Sequence, residues 1–117
     1  MKLINKLCII ILLLVGCKSS DNDIKTLLQS KNIDDVIEGA YKAGKSGNAV
    51  FVPYLLQNAD DPRVSTNLQF YGFSVYQEKM IALKKILKVE PPVKITWKTD
   101  STVIRFYTNA ASRYINK

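Results

Sequence analysis

Apolar residues recur every three or four positions along most of this chain, and that spacing predicts amphipathic helices. A short helix is predicted from Ile24 to Leu28. A longer one follows, for which Asp34 or Asp35 is the predicted N-cap. This helix should end within the GKSGN stretch, because Gly44 or Gly47 suits the left-handed position after a helix.

Two further helices are predicted in the middle of the chain. The stretch NAVFVPYLLQN can be capped by Asn48, and it tolerates Pro53 only if that residue lies in the first turn. Residues 74–89 predict a helix that Pro91 should stop. Its predicted apolar stripe is Tyr76, Met80, Leu83 and Leu87, widened by Val75, Ala82 and Ile86, and the remaining positions include Lys79, Lys84, Lys85 and Lys88.

The C-terminal part predicts one brief extended segment and a last helix. Residues 93–98, VKITWK, alternate apolar and polar side chains, which is typical of an extended segment. Asp100 and Ser101 offer an N-cap for the helix that follows, whose predicted inner face is Val103, Phe106, Tyr107, Ala110 and Tyr114. Trp97 is expected to fill the junction of the last two helices, and stacking on a ligand is the alternative.

The N-terminus differs from the rest of the chain. Two lysines precede an unbroken apolar run over residues 7–15, and Gly16 and Cys17 follow. This order is that of a secretory signal, with a charged region, a short apolar region and a small-residue cleavage site. The run is much shorter than the roughly 20 residues of a membrane-spanning helix.

The four residues Leu14-Val15-Gly16-Cys17 resemble the lipobox of bacterial lipoproteins. The resemblance implies that residues 1–16 are a cleaved signal peptide and that Cys17 carries the lipid, palmitate among its acyl chains. Residues 17–23 would be a polar tether and residues 24–117 the domain. In bacteria with two membranes, a lysine after the cysteine favours the outer membrane, facing the periplasm or the surface. An ordinary secretory signal with an incidental cysteine is the alternative.

Composition narrows the chemistry that the chain can offer. There is no histidine, Cys8 would leave with the signal, and Cys17 would be consumed by lipid. The paired carboxylates 34–35 and 60–61 suit helix caps and turns better than acid–base or metal pairs. We therefore expect no enzyme activity, no catalytic residues, no metal and no cofactor. The formal net charge of +7 would fall to +5 with the two lysines of the signal, and export favours contact with anionic lipid over nucleic acid.

The stretch GAYKAGKS, residues 39–46, matches the G-x-x-x-x-G-K-[ST] pattern of a phosphate-binding loop. That loop requires a buried strand before it and a helix after it. Here the preceding residues have helical spacing, and Gly47 follows where a helix should begin. We therefore expect residues 39–46 to form the end of a helix and its exit, with no bound nucleotide.

The helical pattern of residues 34–89 resembles HEAT-type repeats, in particular the short variety related to bilin-lyase subunits. The stretch IEGAYKAGKSGNAVFVPYLLQNADDP places the residues of that pattern at Gly44, Asn48, Ala49, Val52, Pro53, Leu55 and Leu56. The chain departs from it through a lengthened connection after Pro62 and a C-terminal part that belongs to no repeat. The resemblance implies an all-α fold, a short HEAT-like superhelix of about four to five helices that binds proteins.

The predicted function is a lipid-anchored protein-interaction module of the bacterial cell envelope, contacting the membrane through Cys17 and a protein partner through its surface. The alternative is a small inhibitor or immunity protein against a toxin or hydrolase. Residues proposed for the interaction surface are Phe70, Tyr71, Phe73, Lys84, Lys85 and Lys88. A loop folded onto the core and a solvated lysine face are the alternatives for these two groups.

Overall fold

The computed structural model describes residues 20–115, and this part of the chain is all-α, as predicted. Its helices are α1 (Asp21–Leu28), α2 (Ile33–Ser46), α3 (Val52–Leu56), α4 (Val75–Leu87) and α5 (Ser101–Ile115), with 3-10 turns at Ala49–Phe51 and Leu68–Phe70. The predicted signal peptide and the lipid-attachment residue Cys17 lie outside the described residues.

The predicted extended segment forms no strand. Residues 93–98 pair with no other part of the described chain, and the antiparallel bridge that is present joins Val64 to Ser74. A strand needs a neighbouring backbone with which to form a ladder, and this segment has none among the described residues.

The first two helices begin earlier than predicted. The Ser20 hydroxyl accepts a hydrogen bond from the Asp23 amide at 3.2 Å, so residues 21–23, assigned to the tether, form the first turn of α1. The Asn32 side chain caps α2 by accepting from the Asp34 amide at 2.9 Å. The predicted caps Asp34 and Asp35 instead accept hydrogen bonds from the hydroxyls of Ser65 and Ser30.

The turn between α2 and α3 follows the prediction. Gly47 ends α2 in the left-handed region with φ of 68°, which a residue with a Cβ adopts only under strain. The Asn48 side chain accepts from the Val50 amide at 3.0 Å, and Pro53 lies in the first turn of α3, where its missing amide hydrogen costs no helical bond.

Helix α4 has the predicted apolar stripe but a different end. The residues predicted to face inward are all buried. Ser74 and Gln77 form a capping box at its start. The helix ends at Leu87, because Lys88 adopts the left-handed conformation with φ of 58°. Lys88 lies three residues before Pro91, the predicted stop.

Lys79 was predicted on the polar side of α4, yet only 3% of it is exposed. Its ammonium donates a 2.6 Å hydrogen bond to the backbone carbonyl of Gln57, the residue that ends α3. Burial lowers the pKa of Lys79, and the carboxylates of Asp61 and Asp60 oppose that shift. The lysine therefore ties α4 to the carbonyl end of α3, where a positive charge is favourable.

The junction of α4 and α5 is closed by Tyr107, and the prediction for Trp97 was wrong. Tyr107 is fully buried and its hydroxyl donates a 3.0 Å hydrogen bond to the carbonyl of Val89, whereas Trp97 is 57% exposed. Asp100 caps α5 by accepting from the Thr102 amide at 2.8 Å. Tyr114, predicted on the inner face of α5, is half exposed.

The helices α2 and α4 run in the same direction. Near their starts, Val36 and Val75 belong to one buried cluster, and near their ends Gly44 meets Ala82. Helix α1 runs the opposite way, because its first residue, Asp21, accepts a hydrogen bond from the Asn48 side chain just beyond the end of α2.

Two glycines of the phosphate-loop pattern allow these helices to approach closely. A Cβ added to Gly39 would lie 2.9 Å from the Leu27 Cβ and 3.0 Å from the Leu28 backbone nitrogen. A Cβ added to Gly44 would lie 2.9 Å from the Ala82 Cα. Both glycines are inside α2, so residues 39–46 are the end of a helix, as predicted, and the pattern reflects helix packing.

We expect Gly39→Ala and Gly44→Ala each to destabilise the fold by about 1 to 2 kcal/mol. Alanine gains helix propensity, but overpacking against backbone atoms that cannot move aside costs more. Urea denaturation followed by circular dichroism measures the difference. Lys45→Ala, at an exposed position of the same helix, should change stability by less than about 0.5 kcal/mol. Stabilisation by either glycine substitution would contradict the close approach.

Candidate functional site

The loop before α4 is held in a defined shape by its own backbone. In this aromatic loop, residues 64–74, the Ser65 amide donates to the Phe73 carbonyl at 2.9 Å and the Gly72 amide donates to the Ser65 carbonyl at 3.1 Å. Gly72, with φ of 83°, provides the tight turn. The loop is therefore closed upon itself.

Side chains fix the loop to the helices. The buried Ser65 hydroxyl donates to the Asp34 carboxylate of α2 at 2.7 Å and accepts from the Asn67 amide at 3.0 Å. At its base, the Asp61 carboxylate accepts from the Arg63 guanidinium at 2.7 to 3.1 Å, and this side-chain bond is the main reason that the pKa of Asp61 is lowered. These side-chain hydrogen bonds attach the loop to α2 and to its own base.

The structure divides the predicted aromatic residues between core and surface. Phe70 is 8% exposed and packs in a buried cluster with Val36, Ile37 and Val75, and Phe73 is half-buried against the same cluster. Tyr71, by contrast, is 72% exposed. The alternative of a loop folded onto the core therefore holds for Phe70, whereas Tyr71 lies on the surface.

Leu68 is a surface residue that the sequence interpretation missed. It is 95% exposed at the start of the 3-10 turn that Asn67 caps, three residues before Tyr71. A single exposed leucine is common on protein surfaces. A second large exposed side chain on the same loop, Tyr71, makes the pair unusual. The flanking turn residues Asn67 and Gly72 were the available signal, because they bracket the apolar positions.

Tyr41 lies between the aromatic loop and the lysines of α4. Its ring is 6.1 Å from the ring of Phe70, and the Lys85 ammonium lies 5.8 Å from the Tyr41 ring centre. Tyr41 itself is 40% exposed. It gives Lys85 a cation–π contact of the kind that is weak at exposed sites.

Two of the three predicted lysines line a second, separate feature, and Lys88 lies outside its lining. Lys84 and Lys85 form one wall of a groove of about 580 Å³, and residues 90–95 form the other. Lys84 pairs with Glu90 at 3.2 Å across this groove. We name residues 84–98 the basic segment, since they contain five lysines and a single glutamate.

The aromatic loop and the basic segment lie at opposite ends of α4. From Val75 to Lys88 the helix advances about 20 Å at 1.5 Å per residue. The residues predicted to form one interaction surface are thus two surfaces, with Tyr41 between them.

A buried carboxylate lies on the same helix. Glu78 is 6% exposed, and burial raises its pKa, while the positive charge of Lys85 two turns later acts in the opposite direction. Its removal from water makes the ionised form unfavourable. The fold therefore lowers the pKa of Asp61 and raises the pKa of Glu78. Asp61 is hydrogen-bonded to a guanidinium, whereas Glu78 has no such partner among the described residues.

Neither a metal site nor a membrane span is found in the part of the chain that is described. Residues 20–115 hold no cluster of carboxylate or thiolate side chains suited to a metal ion. Within the same range, no helix combines the length and the apolar character needed to cross a bilayer.

A comparison with known proteins finds no matching family model, no matching curated protein and no matching solved structure. Function is therefore inferred from the residues and their arrangement.

We expect Glu78→Gln to raise the Tm at neutral pH and to leave it unchanged near pH 4. A raised pKa in the folded state means that the stability due to Glu78 is complete below its ordinary pKa of 4.5 and is lost as pH rises through the raised value. Thermal melts across this range measure the effect. Glu90→Gln is the control, because that carboxylate is 77% exposed. A Tm difference independent of pH would contradict the buried, ionising carboxylate.

Proposed function

We propose that this protein is a lipid-anchored lipoprotein of the bacterial cell envelope whose helical domain binds a protein partner. The anchor is supported by the lipobox-like residues 14–17 after a short apolar run. The polar stretch from Lys18 to Ser20 then joins the lipid to α1 as a tether shorter than the sequence had indicated. Two or three acyl chains suffice for stable anchoring without a membrane-spanning helix.

A HEAT-like arrangement of the domain is part of the proposal. It is supported by the parallel course of α2 and α4, and by α3, which returns so that Gln57 and Val36 line the same cavity near the start of α2. A first helix, a returning helix and a parallel first helix of the next unit form the basic pattern of such repeats. The connection of α4 to α5 through residues 88–100 departs from the tight turn of a regular repeat.

Protein recognition is carried by one observation: Leu68 and Tyr71, three residues apart in the sequence, are both largely exposed on a loop that hydrogen bonds hold fixed. Large apolar side chains on a rigid element are typical of binding hot spots, since little conformational entropy is lost on association. Binding rather than catalysis is proposed because the chain has no histidine and its buried Lys79 is bonded to a backbone carbonyl.

A second candidate is an inhibitor or immunity protein that blocks an envelope toxin or hydrolase. The fixed aromatic loop supports it, because inhibitors that insert a pre-formed loop change shape little on binding. The two candidates share the binding surface and differ in whether the partner is an enzyme that loses its activity.

Replacing Cys17 with alanine should abolish lipid attachment and release the protein from the membrane fraction. Palmitate labelling and cell fractionation measure the two effects, and mass spectrometry of the mature protein locates the cleavage. Cys8→Ala is the matched control, since that cysteine lies within the predicted signal and should leave both results unchanged. Retention of label and membrane association by the Cys17 variant would rule out the anchor.

The double substitution Leu68→Ser with Tyr71→Ser should remove the protein partner that the wild type captures from envelope extract. Loss of a hot-spot pair is expected to weaken binding roughly 30-fold or more. Affinity capture with quantitative mass spectrometry measures it, and assaying the captured partner for enzyme activity distinguishes the two candidates. Val50→Ser with Tyr114→Ser, at exposed apolar positions elsewhere, is the control. Equal capture by both variants would exclude the aromatic loop.

A further inference from the structure

The basic segment, residues 84–98, combines positive charge with exposed apolar side chains. Its five lysines outnumber its one carboxylate, Glu90, which is already paired with Lys84. The remaining lysines, Lys85, Lys88, Lys94 and Lys98, are exposed and have no ion pair among the described residues. Charge complementarity therefore specifies an anionic partner.

Three large apolar residues of the segment point into solvent between those lysines. Trp97 is 57% exposed, Val93 41% and Val89 38%. Trp97 is the only tryptophan in the chain. Its ring lies outside the core, whereas Ile95, two residues earlier, packs against the core. An amphipathic ring flanked by lysines is typical of protein surfaces that rest at the membrane interface.

The fold places the start of the described chain at the same end as these lysines. Asp21 is hydrogen-bonded to Asn48 at 3.3 Å, just beyond the end of α2, and Gly44 in the last turns of α2 meets Ala82 and Lys85 of α4. Cys17 precedes Asp21 by four residues, which span at most about 14 Å when extended. A lipid on Cys17 would hold this end of the helical layer close to the bilayer.

We propose that the basic segment is a second membrane contact, which docks on anionic phospholipid headgroups with Trp97 at the interface. This inference rests on the proposed anchoring through Cys17. Lysines near such a surface each contribute about 1 kcal/mol, and interfacial apolar residues add to that attraction. An acidic protein is the other anionic partner, and it would leave the Trp97 emission unchanged on anionic vesicles. A membrane is favoured because Trp97 and Val93 are exposed between the lysines and because a lipid on Cys17 would hold this end of the fold near the bilayer.

Docking in this way would orient the whole domain. The aromatic loop lies at the opposite end of α4, about 20 Å from Lys88. Leu68 and Tyr71 would therefore be held away from the bilayer, where a protein partner can reach them. A lipid attached at one point of the chain could not by itself fix that orientation.

Trp97 is itself the reporter for the test, because its emission comes from a single residue. The full-length lipidated chain is reconstituted with vesicles of phosphatidylcholine alone and with vesicles that also contain phosphatidylglycerol. Flotation reports anchoring in both. Docking is expected to shift the Trp97 emission to shorter wavelength, and to allow quenching by brominated acyl chains, only on the anionic vesicles and only at low salt.

The variant Lys94→Gln with Lys98→Gln should shift the balance of docked and undocked protein roughly 25-fold towards the undocked state, at about fivefold for each lysine. Lys31→Gln with Arg105→Gln removes the same charge from exposed positions outside the segment and should have little effect. Both variants should float as the wild type does.

The two failures are distinguishable. Unchanged Trp97 emission on anionic vesicles that carry the protein would overturn the docking surface and leave the anchor intact, and an equal response to both double variants would overturn it too. Absence of flotation on neutral vesicles would overturn the anchor, while the emission on anionic vesicles would still decide the docking surface.

Discussion

The close packing of α2 against α1 and α4 is the constraint on which the rest of the domain depends. Gly39 and Gly44, about a turn and a half apart on one helix, remove the side chains that would hold the two neighbours away. Because the backbones lie close together, the apolar side chains around the glycines come into contact with one another. Such contacts give protein interiors their high packing density, which equals that of organic crystals. The close packing also sets α2 and α4 side by side in the same direction.

That parallel arrangement separates the two surfaces to which we attribute function. The aromatic loop precedes α4, and the basic segment begins in the last turn of α4 and continues beyond it, so most of the helix lies between the two surfaces. The loop is fixed by Ser65 and by backbone hydrogen bonds, whereas the basic segment is attached through Ile95 and through the hydrogen bond of Tyr107 to Val89. One surface is apolar and the other basic, which suits partners of different chemistry.

Three polar or charged side chains of α4 are buried at a cost in free energy. Lys79 and Glu78 are neighbours on α4 and both are buried, but only the lysine has a hydrogen-bonded partner, the Gln57 carbonyl. The Tyr76 hydroxyl is likewise buried with no hydrogen-bond partner among the described residues, and its burial raises its pKa. Burying a polar group without a partner costs free energy, which the packing of the surrounding apolar side chains must offset.

The sequence by itself determined the helices, the apolar stripe of α4 and the turn at Gly47, because periodicity, capping residues and glycine act over a few residues. It also excluded a strand before residues 39–46. The tertiary structure decided which of several good caps is used, and that Lys79 is buried and Trp97 exposed. It also decided that Phe70 is buried while its neighbour Tyr71 is exposed. These outcomes depend on which distant segment lies opposite each side chain, and local spacing carries no information about that neighbour.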